Sequence, residues 1–217
     1  MVFRRTNRRA EDDDRSPEDE GRWRRHRRGA RSALLLVLSL LVLPALLLAG
    51  LLFFQGREIG LAIVQRVSAR KFPNVAWIEP AELTVWREDS TRSQPLLLDA
   101  RTGPEYAVSH LPGARRIDPS RPLLRHLEAF ARDTPVVVYC SVGYRSARVA
   151  NWLQRQGFSN VVNLSGSLFA WANEGGAMEA EGRPATQVHP YNAVWGRLLR
   201  PELRASVTPV TDPISLP

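Results

Sequence analysis

The feature that most restricts how this chain folds is the stretch Val136 to Ser146, Val-Val-Val-Tyr-Cys-Ser-Val-Gly-Tyr-Arg-Ser, which holds the only cysteine in 217 residues. The β-branched run is stiff at χ1 and suits a strand. Gly143 supplies the freedom that a tight turn needs, and a helical pattern begins near Arg145. The stretch therefore predicts strand, tight loop, helix. In that arrangement Cys140 stands at the mouth of a helix N-terminus, where unpaired backbone N–H groups and the macrodipole favour an anion. Together with the permanent charge of Arg145, this field favours thiolate over thiol, and the thiolate is the nucleophile. The blander reading of Cys140 as a small buried hydrophobe fits the surrounding loop less well.

The flanking sequence supplies a sheet for this unit. Pro95-Leu-Leu-Leu-Asp-Ala100 is apolar without alternation, as in a strand covered on both faces of a parallel sheet. That reading puts Asp99 at a carboxyl end, the edge where open α/β sheets build their sites. Residues 75–78, 115–117 and 161–164 read as shorter strands. Helical patterns cover 80–86, 122–132 (with Leu123, Leu124, Leu127 and Ala131 on one face), 145–156 (stopped by Gly157) and 166–173. Strands alternating with helices at this spacing indicate an α/β fold with a parallel sheet flanked by helices.

Both ends of the chain differ from this middle. Residues 1–32 mix acidic clusters and arginines with almost no apolar side chains, so disorder is expected. Residues 33–54 contain no charge over twenty-two positions, against the ~20 that a helix needs to cross a bilayer. This predicts a transmembrane signal anchor rather than a cleaved signal, whose apolar region runs about 7–15 residues. Seven arginines lie in residues 13–32, whereas residues 55–74 carry Arg57, Arg66, Arg70 and Lys71. The bias predicts a cytoplasmic N-terminus, with the folded domain on the non-cytoplasmic side of a bacterial inner membrane or a thylakoid-like membrane. Residues 55–74, with Ile59, Ile63 and Val67 in register, read as a helical stalk, and 75–176 as the domain. The extension 177–217 holds one amphipathic element, in which Tyr191, Val194, Trp195, Leu198 and Leu199 line one side. It docks on the domain or, as the sharper alternative, lies at the membrane interface. Its last ten residues, 208–217, read as disordered.

The formal net charge of +8 comes almost entirely from arginine, much of it before residue 33. With no nucleic-acid-binding motif in the folded part, nucleic acid is not an expected partner. One cysteine excludes an internal disulfide. His26, His110, His126 and His189 lack ligand-like spacing, so no metal site is expected.

The loop resembles the active-site loop of rhodanese-like sulfurtransferases, whose single-domain members commonly read Cys-x-x-Gly-x-Arg-Ser, matched here by Cys140, Gly143, Arg145 and Ser146. Leu96-Leu-Leu-Asp-Ala-Arg101, Glu105-Tyr106, His110-Leu-Pro-Gly-Ala114 and Val161-Val-Asn-Leu-Ser-Gly166 with Trp171 look like the family's other signatures, in its order. The resemblance covers roughly residues 75–176. It implies a rhodanese-like fold and a sulfurtransferase in which Cys140 takes sulfane sulfur from a persulfide or thiosulfate donor and passes it to an acceptor thiol or cyanide. Ser141, Val142, Gly143, Tyr144, Arg145 and Ser146 would form the loop that cradles the sulfur anion, with Asp99, Arg101 and Glu105 in support. No cofactor is implied. Asp99 and Arg101 read best as an ion pair tying loops together, and Glu105 and His110 as helix-start and turn residues. Ser146 is read as capping the helix or donating to sulfur.

Departures from the family narrow the donor. Thiosulfate-using members have cationic residues just after the cysteine, where this loop has Ser141 and Val142, and an arginine where this chain has Glu105. Thiosulfate should therefore bind weakly, and a persulfide or a protein partner is favoured as donor. Ser109 and Ser167 stand where glycine is common in the family. Two other classes compete. Phosphatases and arsenate reductases resemble Cys-x5-Arg, usually after a histidine, whereas Cys140 to Arg145 is Cys-x4-Arg after Tyr139, a ring too small for a tetrahedral oxyanion. A membrane-tethered docking module without turnover is the third class, and the intact Cys140 weighs against it.

Overall fold

The computed structural model describes residues 39–46 and 56–207. The leader 1–32, most of the expected membrane segment 33–54 and the expected disordered end 208–217 lie outside the described residues. Residues 39–46 are helical, with Leu40, Leu41, Leu43 and Leu46 exposed. Among the described residues no helix is long and apolar enough to cross a membrane.

Five parallel strands form the sheet: β1 (Ala76–Ile78), β2 (Leu96–Asp99), β3 (Arg115–Arg116), β4 (Val136–Tyr139) and β5 (Val161–Leu164), in the order β1-β5-β4-β2-β3. Strand β4 is central, which is why all four of its residues are apolar or aromatic and buried. Successive side chains point to opposite faces. Val136, Val138 and Cys140 therefore join one core cluster and Val137 and Tyr139 the other. Asp99 lies opposite Tyr139, so β2 and β4 end at one edge and Asp99 stands beside the strand that delivers Cys140.

Helix α1 covers residues 56–71, followed by α2 (Pro80–Glu88), α3 (Gly103–Val108), α4 (Tyr144–Arg155) and α5 (Ser167–Asn173). Both α2 and α3 start with proline in the first turn and a capping box, Glu79 with Glu82 and Thr102 with Glu105. Helix α4 packs Ala147, Val149, Ala150 and Leu153 onto one face of the sheet. Leu83 and Trp86 of α2, together with α5, cover the other.

Three segments differ from the sequence reading. The pattern over 122–132 yields only a 3-10 turn, Leu124–Leu127. Leu127 is buried while Leu123 is exposed, and one full anchor does not repay the nucleation cost of a longer helix. Past α5 the chain makes an unforeseen hairpin, β6 (Met178–Ala180) with β7 (Arg183–Ala185), turned by Glu181 and Gly182, both at positive φ. The segment read as a stalk is packed into the domain. Leu61 and Ser68 of α1 are buried, Gln65 donates to Ser165 Oγ at 3.2 Å, and Gly60 meets Leu198 so closely that a Cβ there would stand 2.6 Å from Leu198 Cδ2. The stripe Ile59, Ile63 and Val67 is instead half exposed.

The C-terminal segment lies on the same core. Val188 and Leu199 are fully buried, and 3-10 turns at Trp195–Leu198 and Pro201–Leu203 place Trp195, Leu198 and Leu203 against it.

Candidate active site

Cys140 leaves β4 at the carboxyl edge of the sheet and enters a turn closed by Gly143 at φ +110°. No other residue fits there well: the backbone angle is left-handed, and a Cβ would meet the Trp77 ring at 3.3 Å. The turn brings the Gly143 N–H onto Cys140 Sγ at 3.1 Å, and Asn163 Nδ2 holds the Gly143 carbonyl at 2.9 Å. From the neighbouring strand end, Ser167 Oγ accepts from the Cys140 N–H at 3.2 Å and donates to Leu164 O. The N–H groups of Leu168 and Phe169 donate to the carbonyls of Cys140 and Ser141. Ser167 itself sits at φ +54°. It thus keeps a backbone shape that favours glycine while its hydroxyl pins the loop, a role the sequence did not show.

The electrostatics at Cys140 are a contest. The side chain is 1% exposed, and this burial is the largest influence, pushing the thiol up. The Arg145 charge, the Ser146 hydroxyl and N–H, and the Gly143 N–H together outweigh it, so the thiol ionises below its ordinary value. Ser146 Oγ is buried without another hydrogen-bond partner among the described residues, which leaves it for the sulfur.

Arg145 is held by a carboxylate from forty residues upstream. Its Nη1 donates to Glu105 Oε2 at 2.8 Å, and its Nη2 donates to Glu105 Oε1 at 2.6 Å and to Ser141 Oγ at 2.9 Å. Ser141 Oγ in turn donates to Glu105 Oε1 at 2.9 Å, and the guanidinium lies 5.1 Å over the Tyr191 ring. Burial pushes the Glu105 carboxyl up, but the hydrogen bonds and charge of Arg145, the charge of Arg101 and the Thr102 N–H together bring it down to about 2. Burial pushes Arg145 down, but its hydrogen bonds to Glu105 and the charges of Cys140 and Glu105 outweigh it and lift the guanidinium above its usual range. Glu105 is therefore more than the helix-start residue of the sequence reading: it caps α3 through Thr102 and also fixes the cation beside Cys140.

Asp99 and Arg101 form a second pair, with both side chains fully buried. Arg101 Nε donates to both carboxylate oxygens at 2.9 and 3.1 Å, Nη2 donates to Oδ2 at 2.6 Å and to the Ser109 carbonyl, and the backbone N–H of Arg101 adds a fourth hydrogen bond to Asp99. This pair ties the end of β2 to the chain after α3. His110 stacks on Tyr106 with ring centroids 3.8 Å apart and lies 3.5 Å from Glu179, a structural setting.

A cavity of about 190 Å³ opens above Cys140, with Ser141, Val142, Tyr144 and Arg145 around its base. Its walls come from elsewhere: Ile63, Val64 and Val67 of α1, and Tyr191 and Trp195 of the C-terminal segment. The sequence reading missed these wall residues as parts of the site. The apolar stripe on α1 was a legible signal, but nothing local says what it borders.

The rhodanese-like domain family model matches residues 80–174. A sulfurtransferase from Allochromatium vinosum is 36% identical over 80 residues, covering 37% of this chain and 74% of that protein. The chain belongs to the rhodanese-like family. The thiosulfate sulfurtransferase GlpE of Pseudomonas fluorescens is 31% identical over 107 residues, covering 49% of this chain and 94% of that protein. The probable adenylyltransferase/sulfurtransferase MoeZ of Mycobacterium tuberculosis is 34% identical over 100 residues, covering 45% of this chain and only 24% of that protein. The rhodanese-like match contains Cys140, its loop and both ion pairs. Helix α1 and the segment bearing Tyr191 and Trp195, which complete the cavity, lie outside it.

Proposed function

We propose that this chain is a sulfurtransferase that carries sulfane sulfur as a persulfide on Cys140. The observation that carries this reading is the Gly143 N–H aimed at Cys140 Sγ, with the Arg145 charge and the Ser146 hydroxyl beside it. In the first step the Cys140 thiolate attacks the outer sulfur of a donor R–S–SH. The Sγ–S bond forms, the donor S–S bond breaks, and RS⁻ leaves with the electron pair. In the second, an acceptor thiolate attacks the outer sulfur of the Cys140 persulfide and Cys140 leaves as thiolate. The N–H groups that favour the thiolate also stabilise the persulfide anion. Thiosulfate is a poor donor in this reading, because the one cation at the base of the cavity is already neutralised by Glu105.

Cys140→Ser should abolish transfer, and the intact mass of the parent should rise by one sulfur atom after exposure to a persulfide. Turnover by the serine variant comparable to the parent would end the cysteine mechanism.

We further propose that residues 33–54 tether the domain to a membrane, with the domain on the non-cytoplasmic side. The support is the uncharged run and the flanking arginines. Ser90 is exposed. In a Cys140→Ser background, Ser90→Cys should react with a membrane-impermeant maleimide in cells with an intact inner membrane. Labelling only after that membrane is broken would place the domain in the cytoplasm.

A further inference from the structure

We infer that the cavity above Cys140 takes the apolar organic part of a sulfur donor or acceptor, of about phenyl size, and that Ile63, Val67, Tyr191 and Trp195 set this preference. The inference rests on the sulfur-transfer reading above and names its substrate class.

Charge excludes the small dianions. Of the residues lining the cavity, Arg145 alone is cationic, and both of its terminal nitrogens are bound by Glu105. An entering dianion thus meets a neutralised pair with a carboxylate directly behind the guanidinium. Lys71 sits 5.5 Å over the Tyr144 ring but does not line the cavity.

Shape and surface point to an apolar group. The cavity measures about 190 Å³ and its surface is mostly carbon; an apolar cavity of roughly 150 Å³ is enough to take benzene. Ile63 and Val67 lie one helical turn apart on the same face of α1, 54% and 50% exposed, so a ligand between them and Trp195 would bury apolar surface now open to water. Both walls come from outside the family-matched residues 80–174. The loop chemistry therefore belongs to the shared domain, and the selectivity to segments added before and after it.

A matched pair of donors tests this. Benzenethiosulfonate differs from thiosulfate by a phenyl group in place of one oxyanion. In both, the Cys140 thiolate attacks the sulfane sulfur, the bond from that sulfur to the sulfonyl sulfur breaks, and benzenesulfinate or sulfite leaves with the electron pair. Burying a ring of this size is worth about tenfold to a hundredfold. The parent should therefore show a kcat/KM for benzenethiosulfonate higher than for thiosulfate by about that factor, with cyanide as acceptor. Replacing both half-exposed wall residues, Ile63→Gln with Val67→Gln, should lower the ratio roughly tenfold in a protein of unchanged circular dichroism. A ratio near one or below in the parent, or a ratio unmoved in the double variant, overturns the inference. Protection of Cys140 from iodoacetamide by benzenesulfinate but not by sulfite supports the cavity assignment independently of turnover. If that protection is seen while neither donor loads sulfur onto Cys140, the sulfur-transfer reading fails and the cavity's apolar preference stands. Equal protection by both, or by neither, sinks the preference.

Discussion

Asp99–Arg101 and Glu105–Arg145 are made of the same groups, a carboxylate and a guanidinium in contact at 2.6 Å, and lie in one small domain. The first is sealed from solvent: both side chains are fully buried, the partners are two residues apart, and Nη2 also donates to the Ser109 carbonyl, while Nη1 has no hydrogen-bond partner among the described residues. The second joins α3 to α4 across forty residues and leaves one side of the guanidinium facing Cys140 and Tyr191. A buried ion pair is weak support for stability compared with apolar packing, but losing one partner strands the other charge. The two pairs teach that burial and contact distance do not reveal what a pair is for. What each arginine faces with its remaining surface does.

The sharpest break in this comparison is expected from removing the two arginines. Arg101→Met strands the Asp99 carboxylate in the core and should cost about 3–5 kcal/mol in urea unfolding. Arg145→Met should cost less, because Glu105 keeps the Thr102 and Ser141 donors. Its main effect should fall on chemistry instead. The pH midpoint for alkylation of Cys140 should move up when the Arg145 charge is removed, and stay in place in Arg101→Met. An equal displacement in both variants would erase the distinction between a structural pair and a site pair.

A smaller effect comes from acid. Glu105 is lowered from 4.5 to about 2 in the fold. Because the folded value lies below the unfolded one, its contribution is fully present above pH 4.5 and is lost as pH falls through 2. The amount is on the order of 3 kcal/mol. Glu105→Gln should be less stable than the parent at neutral pH and lose less on acidification from pH 4.5 to 2.5, measured as urea midpoints. Parallel loss in the two proteins would mean that the carboxylate does not act as its surroundings indicate.

How much of this was legible varies with the sequence distance involved. The unit β4–loop–α4 could be read directly, because valine stiffness, one glycine at a left-handed turn and a helical pattern are properties of adjacent residues. The Asp99–Arg101 pair was legible for the same reason, its partners being two residues apart. Glu105 was only half legible: the spacing Thr102-x-x-Glu105 announces a capping box, but nothing near it announces Arg145. The hairpin β6–β7 is three residues a side, too short for an alternating pattern to declare itself.

Helix α1 marks the boundary most clearly. Two apolar stripes run along it, Leu61 with Val64 and Ile59 with Ile63 and Val67, both at helical spacing, and the sequence alone determined that a helix forms there. Which stripe turns inward was decided by the close approach of Leu198 to Gly60, where a side chain would collide, and by the bond from Gln65 to Ser165. Likewise, dihedral preferences along the chain determined that Cys140 ends a buried strand before a helix. Only the parallel register of β2 and β4, with the helices and the C-terminal segment packed around them, decided that Glu105 meets Arg145 and that Arg145, Tyr191, Ile63 and Val67 border the cavity at its sulfur. Backbone preferences act over a few residues, whereas a site assembled across a hundred positions exists only once the sheet has brought its edges together.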